Sequence, residues 1–191
     1  FFTSHGNCLI IGVDELPEAR LTAKATNLNS LVQLEKDEEI VACFDEVKDD
    51  TLVFFTALGN AKRTEGKEFD LRTKKTAAIA LKDDDRVIAV EKQDETAGTV
   101  IMVSKGGMSI RFATDTVPVM GKGAGGVKCM KLDEGDRVIF AAQIADEGEI
   151  LTISDRGYAK RSLVFDYEIQ GRNGKGLKTF DFKKNGSNGT A

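Results

Sequence analysis

The sequence is poor in the residues that build metal centres and disulfide frameworks. Its 191 residues include one histidine, two prolines and three cysteines. No carboxylate or cysteine pair is spaced to join His5, which predicts an exposed turn residue and no metal site. Cys8, Cys43 and Cys129 are odd in number, far apart and set among apolar residues. That pattern favours reduced thiols in a cytoplasmic protein over a disulfide or zinc framework.

Long apolar runs are also missing. No stretch of 18 apolar residues is present, so the sequence contains no candidate transmembrane helix and indicates no membrane partner. No secretory signal peptide is visible. The chain opens on Phe1 within a strand-like run and has no initiator methionine, which predicts a piece of a longer protein. The few prolines and the shortage of helix-periodic stretches indicate an all-β fold.

The sequence also lacks a recognisable set of catalytic residues. The segment 121–126 has the spacing G-x-G-x-x-G, but the dinucleotide motif requires a strand before it and a helix after it, and turns flank it here. Lys122 and Lys175 are not followed by serine or threonine in the frame of a phosphate-binding loop. The acidic turns have too few ligands at the spacing of a calcium loop. We therefore predict no catalytic residue, no metal and no cofactor for this chain.

What the sequence does have is a fourfold repeat. In each copy an apolar run leads into a glycine turn, and a polar or basic strand follows. The turn glycines Gly6, Gly59, Gly107 and Gly157 are about 50 residues apart, a period typical of propeller-like arrays. Glycine supplies the positive φ that tight hairpins need, so we expect positive φ at the last three. The predicted units are 1–50, 51–98, 99–148 and 149–182.

The first three units each have the pattern of four short strands bounded by turn residues, and the fourth begins in the same order. The fold predicted for residues 1–182 is therefore a single all-β domain, a propeller-like disc of about four four-stranded antiparallel blades. The fourth unit ends before its last strand, so closure of the disc would have to involve Phe1 to Thr3. The polar, glycine-rich segment 183–191 is predicted to be a disordered tail.

Charge is unevenly spread along the repeats, although the net charge is only −4. Acidic turns come late in the first three units, and basic residues follow the glycine turns and recur in the later loops. Cationic side chains beside accessible backbone N–H groups suit phosphate binding. An ordinary solvated β surface is the alternative. The candidate phosphate contacts are Arg20, Lys24, Lys62, Arg63, Arg72, Lys74, Lys75, Arg111, Lys122, Lys128, Lys160, Arg161, Arg172, Lys175 and Lys178.

Four in-order copies of these features resemble a known family, the C-terminal domain of bacterial type IIA topoisomerase A subunits (gyrase and topoisomerase IV). The residues that carry the resemblance are Leu16–Arg20, Gly125–Lys128, the G-x-x-K-R strands and the Leu-x-x-Asp turns, and it covers 1–182. It implies a β-pinwheel, a disc whose blades exchange strands and whose basic perimeter binds and bends double-stranded DNA.

The resemblance also implies the setting in which such a domain works. The domain alone would not be catalytic, and its parent would be an ATP-dependent type II DNA topoisomerase of the cytoplasm. Its partners would be the ATPase B subunit of that enzyme and the catalytic N-terminal part of its own polypeptide. The family cleaves DNA with a tyrosine in another domain, so Tyr158 and Tyr167 are expected to be structural.

Gyrase-type members of the family share a seven-residue box similar to Q-R-R-G-G-K-G. The nearest match here is the segment 170–176, with Gly171 in place of arginine and Asn173 in place of glycine. It lies in the last unit, whereas the gyrase box belongs to the first blade.

Two functions from different classes follow from the sequence. The first is DNA binding and bending, which predicts steep salt dependence and little sequence preference. The second is a propeller-like protein-interaction module whose acidic and basic rims dock a partner protein. Indifference to DNA together with capture of a peptide or protein would favour the second.

Overall fold

Short antiparallel strands and 3-10 turns make up the regular structure of the chain. The computed structural model describes residues 1–82, 84–183 and 186–190, and this part contains no α-helix. Within it, no helix is long and apolar enough to cross a membrane. The strands of the first two units are β1 (Phe2–Thr3), β2 (Asn7–Leu9), β3 (Ile40–Ala42), β4 (Thr51–Thr56), β5 (Asn60–Glu65), β6 (Lys75–Ala77) and β7 (Val87–Lys92).

The last two units repeat this order, and the fourth stops earlier within the described residues. The strands are β8 (Thr99–Ser104), β9 (Met108–Ala113), β10 (Val127–Lys128), β11 (Val138–Ile144), β12 (Glu149–Ile153), β13 (Ala159–Leu163) and β14 (Leu177–Lys178). The 3-10 turns are Val13–Glu15, Leu28–Ser30, Gly66–Phe69, Thr114–Thr116 and Val164–Asp166.

Glycine hairpins join the first two strands of every unit. The positive φ expected at the turn glycines is confirmed, with 78° at Gly59, 81° at Gly107 and 79° at Gly157. A side chain other than glycine costs roughly 1–2 kcal/mol in this left-handed region. The glycine positions therefore fix where each hairpin reverses.

Each complete sheet takes its outermost strand from the following unit. The strand orders are β3-β1-β2-β6, β7-β4-β5-β10 and β11-β8-β9-β14, and the last sheet is the hairpin β12-β13. All pairings between these strands are antiparallel. The prediction of an all-β pinwheel with about four blades is confirmed, and the blades are held together by exchanged strands.

One predicted detail, closure of the disc through Phe1 to Thr3, is wrong. β1 is hydrogen-bonded on one side to β2 and on the other to β3. Both of its edges are occupied within the first sheet, so it has no edge to offer to the fourth unit. The disorder predicted for 183–191 stays a prediction. Lys184, Asn185 and Ala191 lie outside the described residues, and Thr190 accepts a backbone hydrogen bond from Asp155 at 2.8 Å.

The core lies between successive sheets. The first cluster joins units 1 and 2 and contains Phe2, Phe54 and Phe69, whose rings meet edge to face around Phe2 at 5.4 and 5.2 Å. The second joins units 2 and 3 through Phe55 and Phe112. Burial of each such ring contributes roughly 1.5–3 kcal/mol. The inner strands β3, β7 and β11 contact one another in sequence, so the donated strands β6, β10 and β14 lie at the opposite, outer edges.

Candidate nucleic-acid interface

The outer edge of each complete sheet is the donated strand together with the loop that precedes it. Close approach of two backbones requires glycine at the start of two of these strands. A Cβ built on Gly126 would lie 2.6 Å from the Ala61 carbonyl oxygen, and one on Gly176 would lie 2.0 Å from that of Ser109. Both glycines have positive φ, 83° and 78°. The glycine-rich loops at 121–126 and 171–176 therefore serve strand exchange between sheets.

Most of the predicted phosphate contacts are exposed. Lys122 and Arg63 are half-buried, and Lys62 and Arg111 are buried. Ten of the fifteen lie in the later loops and donated strands, or in the equivalent segment of unit 1, and Lys160 and Arg161 lie on β13. The exposed members are Arg20, Lys24, Arg72, Lys74, Lys75, Lys128, Lys160, Arg161, Arg172, Lys175 and Lys178.

Many of these cations are paired with surface carboxylates. Lys74 pairs with Glu15, Lys178 with Asp181 at 2.9 Å, and Lys175 with Asp133. Arg161 pairs with Glu149 at 3.0 Å. Exposed pairs of this kind are worth about 0–1 kcal/mol, so a phosphate group can replace the carboxylate at little cost. Arg20, Lys24 and Arg72 have no ion pair within the described part of the chain.

Lys62 has a structural position. Its side chain is fully buried, and its Nζ donates to the carbonyl oxygens of Gly121 at 3.1 Å and Lys122 at 3.0 Å. The ammonium also lies 5.3 Å from the centre of the Phe54 ring. Burial lowers the pKa of Lys62 to about 8, against the opposing attraction of Glu68. The side chain therefore ties β5 to the loop of the next unit and presents no donor to solvent.

Arg111 is likewise turned inward. Its side chain is 5% exposed and reaches Asp146 and the carbonyl oxygens of the following unit. Lys62 and Arg111 were predicted to contact phosphate, and their burial keeps both side chains away from a surface ligand. Both are therefore left out of the proposed surface. Nothing in the sequence around the glycine turns distinguishes them from Lys160 and Arg161, which are exposed at equivalent positions.

The acidic turns bind the glycine hairpins of their own units. Asp85 accepts hydrogen bonds from Leu58 N–H at 2.8 Å and Asn60 Nδ2 at 3.0 Å. Asp136 accepts from Gly106 N–H at 2.9 Å. These carboxylates therefore brace the turns, a role that sequence reasoning missed although the acidic turn recurs at the same place in the first three repeats.

Glu38 is the corresponding carboxylate of unit 1. It accepts from Thr3 Oγ1 at 2.5 Å, Asn7 Nδ2 at 2.7 Å and Glu35 N–H at 2.8 Å. Burial raises the pKa of Glu38, but these hydrogen bonds and the charge of Lys75 lower it to about 2. Glu38 is thus ionised at neutral pH.

His5 has carboxylate neighbours that its sequence context did not predict. Its Nδ1 lies 3.4 Å from Glu35 Oε2, and one ligand atom from each of His5, Glu35 and Glu38 fits within 4.8 Å. The expectation that no carboxylate joins His5 is therefore wrong. Lys75 Nζ lies 3.0 Å from Glu35 and 3.4 Å from Glu38, so an ammonium already balances both carboxylates.

The segment that matches the gyrase box crosses between units 3 and 4. Asn173 has φ of 69°, at the place where the box has glycine, and its N–H donates to Cys129 O at 2.6 Å. Asparagine tolerates the left-handed region better than most residues. Arg172 Nη1 donates to the main-chain carbonyl oxygen of Lys128 at 3.3 Å, whereas Lys128 Nζ donates to Leu58 O at 2.6 Å.

Repeated antiparallel sheets that exchange their outer strands define a β-propeller-like domain of the pinwheel type. A family model described as "DNA gyrase C-terminal domain, beta-propeller" matches residues 1–44, 50–94, 98–145 and 148–188. The chain belongs to this family.

Curated relatives support the same assignment. The DNA gyrase A subunit of Haloquadratum walsbyi is 35% identical over 199 residues, covering 99% of this chain and 23% of that protein. The DNA gyrase A subunit of Escherichia coli K12 is 37% identical over 182 residues, covering 92% of this chain and 20% of that protein. The chain thus spans about a fifth of the length of these relatives.

Solved structures share the fold. The C-terminal domain of a DNA topoisomerase IV superimposes with a TM-score of 0.91 at 27% identity, covering 99% of this chain and 59% of that one. A DNA gyrase A C-terminal domain superimposes with a TM-score of 0.78 at 26% identity, covering 99% of this chain and 61% of that one.

Proposed function

We propose that this chain is a non-catalytic DNA-binding and DNA-bending domain of a bacterial type II DNA topoisomerase A subunit. Its task is to present a DNA segment for strand passage. The observation that carries the proposal is the series of exposed basic side chains along the outer edges of successive sheets, in a member of a gyrase domain family.

Binding would proceed through phosphate contacts without reading base edges. Each exposed lysine or arginine that meets a phosphate releases condensed counterions, which favours association at low salt. Bending a 20–30 base-pair site by 40–90° costs on the order of 1–6 kcal/mol. Several contacts spread over successive outer edges offset this cost, so no single residue is expected to be essential.

The parent enzyme and its other parts belong to the same proposal. The domain would act in the cytoplasm, with the ATPase B subunit of the enzyme and beside the catalytic N-terminal part of its own polypeptide. ATP hydrolysis and DNA cleavage would take place in those parts. This chain would hold the DNA segment along its basic outer edges.

A protein-interaction module is the second candidate function. The observation that favours it is a group of exposed apolar side chains in unit 4, where Phe165 is 85% and Leu151 63% exposed. Asp166 and Glu168 adjoin Phe165 and would repel phosphate. The surface around Phe165 therefore suits a protein partner better than DNA.

A salt titration of duplex binding tests the proposal. We expect log affinity to fall with log salt, with a slope of about −0.9 per phosphate contact. The test variant is Arg72→Gln with Lys74→Gln, because both residues are exposed and lie in one outer loop. It should weaken binding to all sequences alike and flatten the slope by about one unit for each phosphate that is no longer neutralised.

A charge-matched control distinguishes the loss of outer-edge contacts from a general effect of lowering the positive charge. Lys82→Gln with Lys105→Gln removes two exposed cations near the acidic and glycine turns. We expect this control to keep the wild-type slope. Equal losses of affinity in the two variants would contradict an outer-edge path. Absence of any salt-dependent binding in the wild type would favour the protein-interaction function.

A further inference from the structure

Two arginines at equivalent positions join consecutive units through their backbones. Arg63 in β5 donates its N–H to Pro118 O at 3.1 Å and accepts from Met120 N–H at 2.7 Å. Arg111 in β9 accepts from Gln170 N–H at 2.7 Å. Each forms a parallel bridge, Arg63 with Val119 and Arg111 with Ile169. Each therefore pairs with the segment that follows the 3-10 turn of the next unit.

The guanidinium of Arg63 connects its own unit to the next. Its Nε donates to Val117 O at 2.6 Å and its Nη2 to Asp115 O at 3.4 Å, both in unit 3. Its Nη1 donates to Gln93 Oε1 at 3.2 Å, in its own unit 2. One planar group thus holds both sides of the junction.

Arg111 repeats this arrangement one unit later. Its Nη1 lies 3.4 Å from both Val164 O and Tyr167 O of unit 4. On its own side, Nε donates to Thr99 Oγ1 at 2.9 Å and Nη2 pairs with Asp146. The acceptors are again carbonyl oxygens at a 3-10 turn, so the same contact type occurs at two successive junctions.

Arginine suits this position better than lysine. Its five donors lie in a rigid plane and can satisfy acceptors on two elements at once, whereas an ammonium is a point charge on a flexible stem. Arg111 is buried, and removing one partner from a buried charged group costs far more than breaking an exposed pair. The arrangement therefore specifies one relative orientation of the two sheets.

Arg161 provides an internal comparison. It occupies the equivalent position in β13, but its side chain is 71% exposed and its ion pair within the described residues is with Glu149 of its own hairpin. The same residue type is thus a buried connector at one junction and a surface cation where no described unit covers it.

We infer that Arg63 and Arg111 are positioning residues that fix the rotation between successive sheets. They thereby set the curvature of the outer basic edge, and this consequence for DNA rests on the function proposed above. Neither guanidinium needs to touch a phosphate. The bend of a bound duplex should depend on them more than its affinity does.

Distance measurement between spin labels tests the positioning role without DNA. The labels are placed at Lys105→Cys and Arg156→Cys, in the exposed hairpin turns of units 3 and 4, after Cys43→Ser removes the exposed native thiol. In this background Arg111→Lys, which keeps the charge, should broaden or shift the distance distribution. Arg161→Lys is the matched control and should leave the distribution unchanged.

Fluorescence energy transfer between dyes at the two ends of a duplex then measures the bend of the bound DNA. We expect Arg111→Lys to reduce the bend while affinity changes by less than about threefold and the salt slope stays that of the wild type. If Arg111→Lys does not fold, Asp146→Asn removes only the exposed partner of Arg111 and should itself broaden or shift the distance distribution relative to the wild type.

Three results would overturn the inference: an unchanged label distance in both variants, an equal change in Arg161→Lys, or a slope reduced by about one unit in Arg111→Lys with the bend retained. The last would make Arg111 a phosphate contact. A wild type that binds no duplex would reject the proposed function, and the label distances would still decide the positioning role.

Discussion

At several positions in this chain, the distance to one neighbouring atom determines which residue fits, and Gly176 is the clearest case. A Cβ on Gly176 would lie 2.0 Å from Ser109 O, and the φ of Gly176 is 78°, whereas no atom of the described residues lies within 4 Å of a Cβ on Gly171. We expect Gly176→Ala to lower the free energy of unfolding by at least about 2 kcal/mol, since left-handed strain adds to the clash. Gly171→Ala should change it by less than about 0.5 kcal/mol. Denaturant unfolding of both variants measures this. Equal stabilities would contradict the close approach of β14 to β9.

The buried ammonium of Lys62 makes the stability of the domain depend on pH. Its pKa is about 8 in the folded state and 10.5 ordinarily, so between these values the unfolded chain binds more protons. Stability therefore rises with pH across this window, by about 1.4 kcal/mol per unit and roughly 3 kcal/mol in the limit. Lys62→Met lacks this contribution. The unfolding free energy of the wild type minus that of the variant should therefore increase from pH 8 to 10, and parallel curves would rule out the buried ammonium.

At the scale of elements, the acidic turn and the glycine hairpin form one unit. Asp85 is buried and holds Leu58 N–H and Asn60 Nδ2, whereas Asp84 is 85% exposed. Asp85→Asn should cost about 1–3 kcal/mol, because it replaces a charged, buried acceptor of two partly buried donors. Asp84→Asn should cost less than about 1 kcal/mol. Thermal unfolding distinguishes the two, and a larger loss for Asp84→Asn would show that the bracing role is misassigned.

The local sequence pattern predicted the strands and turns, but not which strands pair with each other. The glycine turns and the alternation around them are local, so the hairpins β4-β5 and β8-β9 could be predicted from the sequence. A donated strand pairs with a strand roughly 70 residues earlier, and no local pattern encodes that partner. His5 and Glu35 meet across 30 residues for the same reason.

Prediction of the candidate site was limited for the same reason, because the burial of a side chain depends on distant parts of the chain. The sequence identifies lysines and arginines after each glycine turn, but their burial depends on whether another unit covers them. Lys62 is covered by the loop at 121–122, whereas Lys160 is exposed. The outer-edge cations could be predicted because the donated strand and its loop stay at the surface in every complete sheet.

At the scale of the whole molecule, the inner strands contact one another and the donated strands lie outside, so basic charge is placed on the longer, outer path. A straight duplex can touch only part of a curved edge. A bound duplex must therefore bend to reach several outer strands, at a cost on the order of 1–6 kcal/mol.

A duplex that bends without this energetic cost tests whether the bound DNA is bent. A duplex of roughly 30 base pairs with a short single-stranded gap at its centre bends freely, because stiffness is lost at the gap. We expect it to bind this chain about tenfold or more tightly than the intact duplex, as about 1.4 kcal/mol or more of bending cost is removed. The salt slopes should remain similar, since the phosphate contacts are the same apart from those at the gap. A gap placed at one end serves as the control and should give the affinity of the intact duplex. Equal affinities for all three would mean that the DNA stays straight and that the outer edges do not act as one curved surface.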